Sequence, residues 1–120
     1  MLILAREPVI ATLIGMLLEL DEDYEPAYPA DGERAEEALA RLRPPPGGRV
    51  VVLLDGEMDA AGSDLFFARA ARARARVVLF GPPGDGTAIA AAARARGLPY
   101  CAMPCDRETL TAILDDGGMG

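Results

Sequence analysis

Five short apolar runs alternate with five stretches of helical pattern, and a chain with that rhythm has few ways to fold. The runs fall at residues 1–5, 24–30, 49–54, 76–80 and 98–103. A helix signal follows each of them. Pro8 suits a first turn, Gly32 precedes a helical pattern over 33–42, and Ser63 or Asp64 can cap the segment that begins at Leu65. Gly97 would stop an alanine-rich fourth helix, and Asp106 can cap a fifth over 107–114. Strand–helix alternation of this kind predicts a parallel sheet covered on both faces by crossover helices. The fold class is therefore α/β, a (βα)5 three-layer sandwich.

Proline placement sorts the strands, because a residue without an N–H cannot donate to a ladder and is confined to edges. The second run carries Pro26 and Pro29 and the fifth carries Pro99, whereas the first, third and fourth have none. This selects the flavodoxin-like order 2-1-3-4-5 for a five-stranded sheet. Ligands of such sheets bind beyond the carboxyl ends of the strands near the switch point, here Ala5, Arg6, Glu7 and Asp55.

At 120 residues the chain fits one domain, read as residues 1–116 with a flexible tail over 117–120. The longest apolar stretch, 9–20, contains Gly15 and Glu19, too short and interrupted for a membrane span and without a cleavage site of a signal peptide. A cytoplasmic setting is expected. The net charge of −7 opposes direct nucleic-acid contact. Histidine and lysine are both missing, so all twelve cations are arginine and histidine bases, Schiff-base lysines and phosphate-binding lysines are ruled out. Cys101 and Cys105 lack two further ligands for a structural zinc and read as buried free thiols.

Several landmarks then occur in order: Leu2-Ile3-Leu4 followed by Glu7-Pro8, residues 50–55 followed by Met58, and Tyr100 followed by Met103-Pro104. Over essentially its whole length the chain resembles the receiver domain of bacterial response regulators, the CheY-like superfamily. In that family an acidic pair ends the first strand, an aspartate ending the third accepts phosphate, a Ser or Thr ends the fourth, and a lysine ends the fifth. The resemblance assigns Asp55 to the phosphoacceptor position and Tyr100 to the aromatic that switches rotamer. Elsewhere the site is degenerate: Ala5 and Arg6 replace the acidic pair, Gly81 the hydroxyl, and Met103 the lysine.

A carboxylate attacking a phosphoryl group must overcome repulsion between anions, which Mg²⁺ and a lysine normally offset. Without those groups, the resemblance implies a pseudo-receiver, a non-enzymatic signalling domain that needs no cofactor. It would work through a protein partner or output domain, or as a homodimer, on the face formed by the fourth helix, fifth strand and fifth helix. Arg6 could supply a positive charge beside Asp55. Arg69, Arg72, Arg74 and Arg76, with Arg94 and Arg96, could form a docking patch for an acidic partner. Two alternatives stay open. One is a phosphorylatable receiver that uses Asp55, with Glu7 and Glu57 holding Mg²⁺. The other is a small nucleotide-binding domain using the glycine-rich loop 81–87, from Gly81 to Thr87, although the lysine of a phosphate loop is missing there.

Overall fold

The structure is a computed structural model that describes residues 1–5, 8–18, 27–30, 32–42, 50–81, 88–103 and 107–116. Four parallel strands form one sheet: β1 (Leu2–Leu4), β2 (Val51–Asp55), β3 (Arg76–Gly81) and β4 (Tyr100–Ala102), hydrogen-bonded in that order. Among the described residues five helices accompany them: α1 (Pro8–Leu18), α2 (Ala35–Arg41), α3 (Asp64–Arg72), α4 (Ala88–Arg96) and α5 (Arg107–Asp116). A 3-10 turn over Asp59–Gly62 leads into α3.

The second apolar run departs from expectation, since among the described residues it contributes one bridge instead of a strand. Ala27 pairs with Leu2 on the edge of β1 opposite to β2; its N–H donates to Met1 O at 2.7 Å and its carbonyl accepts from Ile3 N at 2.9 Å. Proline explains the truncation. Pro29, the next residue of the same parity, has no N–H to continue the ladder, and Pro26 lies outside the described residues. At the other edge Pro99 is tolerated because it only accepts, from Leu79 N at 3.0 Å.

Strand alternation divides the core into two layers. Leu2, Leu4, Val52, Leu54, Val77 and Leu79 face α2, α3 and α4 and pack with Leu39, Phe66 and Ala93. Ile3, Leu53, Val78, Phe80 and Cys101 face the other way, toward Ile14 of α1 and Leu110 of α5. Cys101 is a buried free thiol, as expected; Cys105 lies outside the described residues.

The helix ends follow local chemistry. Ser63 caps α3, its Oγ accepting from Phe66 N at 3.2 Å, a bond whose loss costs about 1 kcal/mol in comparable caps. Gly97 ends α4 in the left-handed region at φ +69, with Gly97 N bonded to Arg94 O and Leu98 N to Ala93 O. The same double bond closes α3, from Arg74 N to Ala71 O and from Ala75 N to Ala70 O, but there the left-handed residue is Arg74 at φ 56. Among the described residues no helix is long and apolar enough to cross a membrane.

Candidate functional site

Asp55 closes β2 at the carboxyl edge of the sheet and is 4% exposed, the one buried charged side chain among the described residues. Its Oδ1 accepts from Glu57 N at 2.9 Å, and its carbonyl accepts from Met58 N at 3.1 Å. The carboxylate therefore organises the turn that follows it.

The positions that the resemblance singles out lie around it on two faces. Ala5 and Met103 share the parity of Ile3 and Cys101, and both pack against the apolar cluster between the sheet, α1 and α5. Met103 is fixed by its N–H, which donates to Gly81 O at 2.8 Å. Gly56 and Gly81 point the other way and are covered by Ile89 from the first turn of α4. A β-carbon on Gly56 would overlap Ile89 Cγ2 and lie 3.1 Å from Cγ1 and 3.2 Å from Cβ. A β-carbon on Gly81 would lie 2.9 Å from Ile89 Cδ1, 3.2 Å from Cγ2 and 3.4 Å from the Tyr100 hydroxyl. Isoleucine thus fills the volume that a side chain at position 81 would need. Tyr100 is half-buried against the α2–α3–α4 layer, its hydroxyl turned toward Gly81.

Sequence reasoning missed Ile89. The signal was present: in an α4 that otherwise reads only alanine and arginine, Ile89 is the single bulky side chain. Arg6, Glu7 and residues 82–87 lie outside the described residues. So does the tail, 117–120.

A cleft of about 870 Å³ opens beside this edge, between Ala5, the start of α2 and the turn after β2. Glu33, Glu36, Glu57 and Asp59 line it against Arg34, so its field disfavours anions. Asp55 is not among its described lining residues. Glu33 is engaged in structure: Arg41 Nη2 and Nε donate to Oε1 at 2.8 Å and Oε2 at 3.0 Å, and Ala30 N donates to Oε1 at 2.9 Å. The Arg41 hydrogen bond, helped by the Ala30 amide, holds the Glu33 carboxyl at about 2, against an ordinary 4.5. Arg41 also donates to Tyr28 O at 3.2 Å, tying the chain beyond the Ala27 bridge to α2. No group of three or more acidic or thiol side chains converges as a metal site among the described residues.

Two of the candidate docking arginines make local contacts. Arg96 pairs with Asp64 at 3.2 Å and lies over the Phe67 ring at 4.1 Å. Arg76 donates to Ile113 O at 2.7 Å, near the carboxyl end of α5. Arg69, Arg72 and Arg74 remain exposed on α3 and the turn after it.

Taken together, the parallel sheet, its helical layers and an aspartate at the carboxyl end of a central strand give the chain a CheY-like α/β fold. The chain is similar to the solved structure of chemotaxis protein CheY4 of Vibrio cholerae, crystallised at low pH (4.0), with a TM-score of 0.65 and 20% identity over 97% of this chain and 95% of that one. No protein-family model matches the sequence, and no curated protein matches it significantly.

Proposed function

We propose that the chain is a pseudo-receiver, a signalling domain that acts through protein contacts without efficient phosphorylation of Asp55. One observation carries this reading: among the described residues, the positions at the carboxyl edge where the fold family places its acid, hydroxyl and lysine hold apolar groups. Ala5 and Met103 extend the core where the fold family places acids and a lysine, and Ile89 covers Gly81 where it places a hydroxyl. Mg²⁺ requires near-octahedral oxygen ligation and dehydrates reluctantly. Among the described residues no three acidic or thiol side chains converge to supply such a set, and the Asp55 carboxylate already accepts from Glu57 N. That arrangement does not fit the ion. A buried acceptor beside an acidic cleft also repels the anionic donor it would need.

The domain is non-enzymatic in this reading, consistent with a cytoplasmic setting and a net charge of −7 that disfavours nucleic acid. Its partner or output domain docks on the α4–β4–α5 face, with Tyr100 held in one rotamer beneath it. The alanines Ala91 and Ala92 of α4 present a smooth exposed surface there.

The test is a Mg²⁺ titration followed by NMR at the Glu57 amide, which reports on Asp55 through their hydrogen bond. A pseudo-receiver gives no saturable shift. A saturable shift abolished by Asp55→Asn would establish a working metal site and refute the reading.

A further inference from the structure

The helix α1 carries no charged residue, and Thr12 is its one polar side chain. Its inner face, Ile10, Ala11 and Ile14, packs on the sheet. Its outer face is equally greasy, with Val9 66%, Leu13 56% and Met16 62% exposed. A surface helix ordinarily turns charge to water, and one that is hydrophobic all round is buried against something. From Pro8 to Leu18 it carries no charged residue, whereas α2, α3, α4 and α5 each carry several. Tyr28, 44% exposed, widens the stripe, its hydroxyl set against Gly15, where any β-carbon would overlap it.

We propose that the α1 stripe is the contact between two copies of this chain. Two features favour a second copy as occupant. Each copy carries −7, so a contact through charged faces would oppose like charges, and α1 is the helix on which two such molecules meet with least repulsion. The stripe is also self-complementary. With spacing i, i+4, i+7, an antiparallel two-fold pairing sets Val9 of one copy against Met16 of the other and brings the two Leu13 side chains together near the axis. The exposed area of the four side chains is roughly 400 Å² per copy, so about 800 Å² in all, below the ~1,200 Å² of stable interfaces. The dimer is therefore weak and concentration-dependent. The contact uses no residue of the Asp55 site, and it leaves the α4–β4–α5 face free for the output partner.

Sedimentation equilibrium of the intact chain from about 10 μM to about 1 mM tests this. The mass rises from 12.6 kDa toward twice that value, and the rise is stronger at high salt, which screens the repulsion between acidic copies. Leu13→Glu and Met16→Arg, both surface changes, each weaken association at least ~10-fold with an unchanged circular dichroism spectrum, while Ala91→Glu on α4 has no effect. A wild-type chain that stays monomeric throughout overturns the proposal and leaves the Asp55 reading intact. Dimers that survive both folded α1 variants, or that Ala91→Glu abolishes, overturn it as well.

Discussion

Replacing Gly56 by alanine should destabilise the protein, and most of the penalty should disappear when Ile89 is shortened. Gly56 does not occupy the left-handed region, so its backbone suits alanine. In open space the change would stabilise by about 0.4–1 kcal/mol through the unfolded chain. Here the new methyl would overlap Ile89 Cγ2 and crowd Cγ1 at 3.1 Å and Cβ at 3.2 Å, against about 3.5–4.0 Å for relaxed carbon contacts. Rotating χ1 cannot clear Cβ, which moves only with α4. The expected net cost is that of overpacking, about 1–3 kcal/mol. Ile89→Ala alone should cost about 1–2 kcal/mol, less than a fully buried isoleucine because Ile89 is half-buried. In the double variant both Cγ atoms are gone and only the 3.2 Å contact with the residue 89 Cβ remains, so Gly56→Ala should cost much less there. Urea denaturation of the four proteins should therefore give a coupling energy of about 1–3 kcal/mol. Gly81→Ala should cost less than Gly56→Ala, because its nearest obstacle is the movable Ile89 Cδ1 at 2.9 Å. Additive penalties, or a Gly56→Ala variant as stable as the parent, would refute the claim that Ile89 fills this corner.

Arg74→Gly should raise the urea midpoint, since a left-handed arginine at φ 56 is strained by about 1–2 kcal/mol, partly offset by the ~0.5–1 kcal/mol entropy of glycine in the unfolded chain. Glu33→Gln should lower stability at neutral pH, and the difference from the parent should persist down to about pH 4.5 and then shrink as pH falls through about 2, because a depressed carboxyl stabilises only while it is ionised. A gap that stays constant to pH 2 would contradict the Glu33–Arg41 clip. Arg96→Ala should cost about 0.5–1 kcal/mol through loss of the Phe67 contact, and high salt should leave most of that loss in place if the ring, not Asp64, dominates.

Periodicity and punctuation made most of the layered fold readable. The apolar runs at 2–4, 51–55 and 76–81 became strands because each supplies buried residues to both layers, and 100–102 buries Cys101 in one layer while Tyr100 packs half-buried against the other. Ser63 and Gly97 marked their helix ends through hydrogen bonding and φ > 0, which are local properties of those residue types. Arg74 ended α3 without such a mark: the hydrogen bonds from Arg74 N to Ala71 O and from Ala75 N to Ala70 O close the helix with an exposed arginine in a conformation that its side chain disfavours. The prolines of the second run mark an edge, and they also cap how far the ladder can run. At the site, the degenerate positions Ala5, Gly81 and Met103 were visible as letters. Ile89 was not, because its importance lies in facing two glycines that are 33 and 8 residues away in sequence. The outer face of α1 was likewise hidden, since a greasy run alone does not say which of its side chains find a partner.

The most direct test of the central claim is phosphoryl uptake itself. The protein is incubated with acetyl phosphate and Mg²⁺, alongside the structurally similar CheY4, and the intact masses are compared. A pseudo-receiver shows no phosphoryl adduct, since neither the ion nor a lysine offsets charge at Asp55. A stoichiometric adduct that disappears in Asp55→Asn would contradict the account.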